Sequence, residues 1–178
     1  MSDAADPVIS EEYRRQQQEL HQNPYYGVAS IEFAPLVKQV LDRNGAKTLS
    51  DYGAGKQNLR KALEARGVEV DYCAYDPAFP EYGAPQPADL VCCIDVLEHI
   101  EPEYLDNVLA DLARITVKHG LFTVHTGPAG KVLSDGRNAH LIQKPVAWWR
   151  EKLEAHFAIE HLLDTRGGFF VIATPRLR

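Results

Sequence analysis

Three carboxylates stand where short apolar runs end: Asp51 after Thr48-Leu49-Ser50, Asp76 after the run to Tyr75, and Asp95 after Val91-Cys92-Cys93-Ile94. The first run breaks at once into Gly53-Ala54-Gly55. Glycines at this spacing remove side chains, so the backbone can approach a nucleotide-like ligand, and a helix starting just after them offers free N–H groups. A carboxylate at the end of the next run, Asp76, can accept hydrogen bonds from the two hydroxyls of a ribose. A second cluster lies further on, in Asp135-Gly136-Arg137-Asn138-Ala139-His140. It places an acid, a cation, an amide and an imidazole within six residues. His140 suits general-base work near neutral pH, and Arg137 suits an anionic group unless it pairs with Asp135. His125 ends another apolar run and is a second candidate base.

These residues need elements to position them. Helical periodicity is expected over 11–22, with Tyr13 and Leu20 as apolar anchors, and over 32–43 with Ser30 as N-cap. The turn Asn23-Pro24-Tyr25-Tyr26-Gly27 lies between them. Strands are expected over 48–52, 68–75, 89–94 and 121–126, with helices over 58–66, 103–117 and 146–156. Gly67 is expected to cap the first of these helices and Pro102 to start the second. Residues 157–163 and 168–174 read as an antiparallel hairpin. The stretch 78–88, with three prolines and a glycine, reads as a loop. Alternating strands and helices imply an α/β fold with a mostly parallel sheet, a shortened third-strand region and a C-terminal antiparallel strand. Ligands of such sheets bind beyond the carboxyl ends of the strands, where the acids and imidazoles fall.

The 178 residues fit a single domain, 1–178, with an N-terminal helical lid segment over 1–45 and a core over 46–178. Residues 1–6 read as a frayed end. The formal net charge of −6 makes nucleic acid an unlikely partner. No apolar run is long enough to span a membrane, and the start does not read as a signal peptide. Cys73, Cys92 and Cys93 lie in apolar runs without CxxC spacing, so they read as reduced core thiols of a cytoplasmic protein. Nothing in the sequence gives an oligomeric state.

Taken together, Leu49-Ser50-Asp51-Tyr52-Gly53-Ala54-Gly55, Tyr75-Asp76-Pro77, Ala88-Asp89-Leu90-Val91 and Asp95-Val96-Leu97-Glu98-His99-Ile100 resemble a class I S-adenosylmethionine-dependent methyltransferase. The resemblance covers roughly residues 30–175. It implies a Rossmann-like fold with sheet order 3-2-1-4-5-7-6, and S-adenosyl-L-methionine as cofactor. Asp51, Gly53 and Gly55 would wrap the methionine part, Asp76 would hold the ribose, and Asp95 with Val96 would border the adenosine and the sulfonium. The family often has a third glycine where this chain has Gln57, a position read as serving packing. The short 78–88 loop leaves the adenine contact to Phe79 or to backbone. The Asp135–His140 run is similar to one in uncharacterised bacterial members of the family.

The implied reaction is an SN2 methyl transfer to a hydroxyl or amine of a small or medium polar acceptor. His140 and His125 are the candidate catalytic bases, and Arg137, Asn138, Tyr25 and Tyr26 the candidate acceptor contacts. Trp148 and Trp149 read as helix core, and the other histidines, His21 among them, as surface or structural. Asp95, Glu98, His99 and His140 also resemble the divalent-metal ligands of the small-RNA 3′-end methyltransferases. That leaves a metal-assisted RNA ribose 2′-O-methyltransferase as an alternative to a metal-free enzyme. An NAD-binding oxidoreductase and a non-catalytic cofactor-binding protein are further alternatives.

Overall fold

The computed structural model describes residues 6–176. Most of the fraying expected of the N-terminus therefore falls outside the described residues. The elements run α1 (Glu11–His21), α2 (Ala29–Asn44), β1 (Thr48–Tyr52), α3 (Asn58–Glu64), β2 (Asp71–Tyr75), β3 (Ala88–Ile94), α4 (Leu105–Ile115), β4 (Thr116–His125), α5 (Val146–Glu154), β5 (Phe157–Thr165) and β6 (Gly168–Pro175). The six strands form one sheet in the order β2-β1-β3-β4-β6-β5. The first three pairings are parallel, whereas β6 runs antiparallel to both β4 and β5.

Side-chain alternation along the central strands feeds two cores, one on each sheet face. Leu90, Cys92 and Ile94 of β3 meet α2 and α3, with Val37, Val40, Leu59 and Leu63. Val91 and Cys93 face the other way, onto α4 and α5. There Leu105, Val108, Leu109 and Leu112 recur at helical spacing and are all buried. The three cysteines are unbonded, and burial pushes the Cys92 and Cys93 thiols up. Trp149 is fully buried in this core, and Trp148 carries Lys144 and Lys152 over its ring.

The third-strand region is cut short, as expected: among the described residues no strand lies between β2 and β3, and residues 76–87 hold only a 3₁₀ turn, Pro80–Tyr82. Its prolines remove ladder donors, so the stretch cannot pair as a strand. Ser30 is not an N-cap. The helix begins at Ala29, and no side chain caps that end. The apolar stripe of that helix, α2, packs on α3 and β3 as a layer of the core. Residues between Val8 and Ser30, the start of α2 included, border the same space as Asp51, Asp76 and Asp95 at the strand ends.

That N-terminal stretch is held from the side. Ser10 donates from its N–H and hydroxyl to the two oxygens of the buried Glu101, at 2.8 and 2.6 Å. The Tyr13 hydroxyl donates to the carbonyl of His99 at 2.6 Å. Gln16 donates to Asp135 and Gln18 to the carbonyl of Ala78. Ser10 is the true N-cap of α1, accepting from Tyr13 N–H.

Candidate active site at the carboxyl ends of the strands

A cavity of about 430 Å³ opens at the carboxyl ends of β1, β2, β3 and β4. One wall is made by strand ends. β1 stops at Tyr52, and Gly53 turns with φ +85°. A Cβ there would lie 2.4 Å from a methyl of Val96, so only glycine lets the two strand ends approach this closely. Gly55 donates its N–H to Asp76 Oδ2 at 2.9 Å, and Ala78 donates to Oδ1 at 2.8 Å. The glycine turn and the second strand end are thus a single hydrogen-bonded unit. Each Asp76 oxygen keeps a lone pair for a ligand. Burial raises the Asp76 carboxyl, and the two N–H donors pull it back down.

Asp51 is buried at the floor of this wall, accepting from the Tyr72 hydroxyl. Burial lifts its carboxyl to about 7, the Tyr72 bond offsetting part of the rise. Gln57, where the resembled family often has glycine, takes a left-handed conformation with φ +57°. The demand at this position is therefore on backbone conformation rather than on packing. A non-glycine residue meets it at a cost of about 1–2 kcal/mol.

Asp95 is the other non-glycine residue at positive φ among the described residues, with φ +50°, and its N–H and Oδ1 are both engaged by Thr123 of β4. Strain of this kind at a strand end turns Asp95 and Val96 onto the cavity.

The opposite wall is irregular. Asn138 closes the loop after β4: it accepts from Ala129 and His140 N–H groups and donates to the Ala129 carbonyl, each at 2.9 Å. This presents His140 beside His99 and His125, with ring centroids 4.7 and 5.0 Å away. The Nδ1 of His140 faces the Gly127 carbonyl at 2.7 Å, and that of His99 faces the Ala139 carbonyl at 2.8 Å. A carbonyl only accepts, so Nδ1 carries the hydrogen in both rings and Nε2 is a free acceptor in the neutral form. Burial pushes both imidazoles down, His99 to about 3, which keeps them neutral near pH 7. His125 is the reverse: Nδ1 accepts from Gly127 N–H at 3.3 Å, which leaves the hydrogen on Nε2.

Glu98 lies behind these rings, fully buried. One of its oxygens accepts from His125 N–H, and Oε2 has no partner. Burial and the neighbouring Asp95 raise this carboxyl well above the usual range. Glu98, His99 and His140 each offer a ligand atom within 4.8 Å of the others. Asp95 is not in that group, because Thr123 holds it.

Of the expected acceptor contacts, Tyr25 and Tyr26 line the cavity, Tyr25 at its rim and 84% exposed. Arg137 and Asn138 do not line it. Arg137 is spent on Asp135 at 2.7 Å and lies over the Tyr13 ring, and Asn138 is spent on the loop itself. Phe79 stacks on Tyr82 instead of facing the cavity, where Pro77 and Ala78 do. Sequence reasoning missed Gln17 and His21, which line the cavity with Tyr13. The signal was available: positions 13, 17 and 21 are spaced four apart, hence on one face of α1.

No protein-family model matches the chain, and no curated protein matches it in sequence. Solved structures do match in shape. One is 1,6-didemethyltoxoflavin-N1-methyltransferase of Burkholderia thailandensis with bound 1,6-didemethyltoxoflavin and S-adenosylhomocysteine. Its TM-score is 0.67 at 15% identity, over 95% of this chain and 92% of that one. Another is magnesium protoporphyrin IX methyltransferase of Synechocystis PCC 6803 with bound S-adenosylmethionine, with TM-score 0.59, 15% identity, and 94% and 92% covered. A third is the complex of DhpI with S-adenosylhomocysteine, with TM-score 0.61, 15% identity, and 96% and 100% covered. At such identity the likeness is one of fold: this chain has the Rossmann-like α/β fold of the class I S-adenosylmethionine-dependent methyltransferases, on a sheet of six strands.

Proposed function

We propose that the protein transfers the methyl group of S-adenosylmethionine to a hydroxyl or amine of a small or medium polar acceptor. The observation that carries this reading is one shared cavity. The glycine turn, Asp76 and Asp95-Val96 make its strand-end wall, and a neutral imidazole with a free acceptor nitrogen stands across from them. The cofactor-bound neighbours support it.

Asp76 takes the ribose hydroxyls with its remaining lone pairs. Asp51 takes the ammonium of the methionine part. Asp95 and Val96 border the adenosine and the sulfonium. In the transfer, the acceptor's oxygen or nitrogen forms a bond to the methyl carbon as the carbon–sulfur bond breaks. That electron pair returns to sulfur, and the acceptor's proton passes to His140 Nε2. The electrophile is intrinsically reactive, so alignment and exclusion of water are the protein's main work. The cavity-lining stretch from Val8 to Ser30 forms the lid, with Tyr25 and Tyr26 against the acceptor. His125, whose hydrogen sits on Nε2, would have to change tautomer to act as the alternate base. The free thiols fit a cytoplasmic setting.

Calorimetry with S-adenosylhomocysteine and with NADH tests the cofactor; binding of NADH alone sinks the reading. Once a labelled-cofactor screen of small molecules gives an acceptor, His140→Ala is expected to lower kcat about 10²–10⁴-fold. Homocysteine-ligand affinity should be retained.

A second reading, favoured by the orphaned Glu98 Oε2, puts a divalent ion between Glu98, His99 and His140. Mixed oxygen and imidazole donors suit Mn²⁺, Fe²⁺, Co²⁺ or Zn²⁺. The ion would then polarise the acceptor's oxygen, and His140 would be a ligand rather than a base. Turnover indifferent to EDTA, with no rise in Tm on adding these ions, removes this reading.

A further inference from the structure

Beside the glycine turn the charge balance of the molecule inverts. The chain carries 25 acidic against 19 basic side chains. Yet the Lys56 ammonium is pushed down by burial and then by the neighbouring Lys61 and Lys131, and among the described residues neither Lys56 nor Lys131 makes an ion pair. The Lys56 ammonium donates to a backbone carbonyl, that of Asn23, at 2.6 Å. The Lys131 ammonium lines the cavity, 5.9 Å from the Tyr26 ring centre.

His21, the last residue of α1, lies over the turn. Its Cε1 is 2.8 Å from where a Gly55 Cβ would stand, and its ring meets Tyr26 and Phe79 edge-on at 5.0 and 5.1 Å. Its Nδ1 is buried and has no hydrogen-bond partner. A buried nitrogen left unpaired costs free energy, as do two cations side by side without an anion. Both costs vanish if an anionic group with oxygen acceptors enters at this end of the cavity. Across the same turn stands Asp51, a buried carboxylate suited to an ammonium. The two ends together complement a zwitterion.

We infer that His21 and Lys131 clamp the carboxylate of the cofactor's methionine part, His21 donating from Nδ1 and Lys131 supplying the charge. The inference rests on the cofactor reading above. It assigns the clamp to two elements of the facing wall, α1 and the loop after β4, rather than to the strand ends. Cofactor binding thereby draws the lid and the acceptor loop together before an acceptor is held.

The test compares S-adenosylhomocysteine with 5′-methylthioadenosine, which keeps the nucleoside and lacks the amino-acid carboxylate. By calorimetry at pH 8, His21→Ala and Lys131→Met are each expected to weaken S-adenosylhomocysteine about tenfold or more, the scale of a lost hydrogen bond to a charged group. Both variants should bind 5′-methylthioadenosine within about twofold of wild type. His21→Gln, which keeps a donor, should recover part of the loss. Unchanged S-adenosylhomocysteine affinity in the variants overturns the clamp, and so does an equal loss for both ligands, which marks a purely structural His21. Failure of the wild type to bind either nucleoside overturns the cofactor reading itself, and the clamp with it.

Discussion

The two walls of the cavity are held by different kinds of bond. Strand ends are placed by the parallel ladders of β1, β2 and β3, and their contacts to one another are largely backbone, as where the Gly53 and Ala54 N–H groups donate to the Tyr75 carbonyl. The facing wall, α1 with the loop after β4, is placed by single side chains: Asn138, Glu101, Tyr13 and Gln16. The comparison teaches where change is tolerated. The first wall resists most side-chain substitution but not the loss of a glycine. The second keeps its shape only while a few specific polar side chains remain.

The largest expected effect breaks the first wall. Gly53→Ala adds a Cβ 2.4 Å from Val96 at a positive φ and should cost about 2–4 kcal/mol in urea unfolding. Val96→Ala in the same chain should restore part of it; full stability of the single variant would show that the two strand ends are not in close contact. Next, Asn138→Ala removes three hydrogen bonds from the second wall. Turnover should fall about tenfold or more, while S-adenosylhomocysteine affinity stays near wild type. An equal fall in both would merge the two walls into one unit.

A third prediction concerns pH. The folded Asp51 carboxyl keeps its proton up to about 7, whereas the unfolded chain loses it near the ordinary carboxylate value. Between those values the folded state binds more protons, so this group's contribution to stability falls as pH rises, by up to about 1.4 kcal/mol per unit. Affinity for a ligand ammonium runs the other way and grows as pH rises through 7. Asp51→Asn should flatten both dependences; a variant with wild-type profiles would place the titrating group elsewhere. A smaller effect is a gain: Gln57→Gly should relieve the left-handed strain and raise stability by about 1 kcal/mol. Smallest is Arg137→Ala. Its partner Asp135 is at the surface, so Tm and cofactor affinity should stay at wild-type values.

The first wall was legible in the sequence because its signals are local: an apolar run, an acid and two glycines fix both strand end and turn. The hairpin of β5 and β6 was legible for the same reason. What the sequence obscured is set by distant partners. The Tyr13 hydroxyl meets a carbonyl 86 positions away. His21 looked like a surface residue because its neighbours, Gly55 and Phe79, are brought to it only by folding. Arg137 and Asn138 looked like ligand contacts because polar loop residues often are. Here each satisfies the loop that carries it. The missing third strand was half-seen, since prolines forbid a ladder without saying what replaces it.

The bonds that fasten α1 across the cavity span 91, 86, 119 and 60 positions of chain. None of their acceptors is in place until β3, β2 and the loop after β4 have formed. Closing such long loops is slow, so α1 docks late in folding, as the last cooperative unit to arrive. By the same token it is the first to leave. Its release breaks a handful of side-chain bonds and leaves every ladder of the sheet intact, so sub-global opening of α1 lies far below global unfolding in free energy. In native-state hydrogen exchange, the amides of α1 should therefore lose protection while those of β1 and β3 keep theirs. A ligand of the cavity then has an exit that does not disturb the sheet.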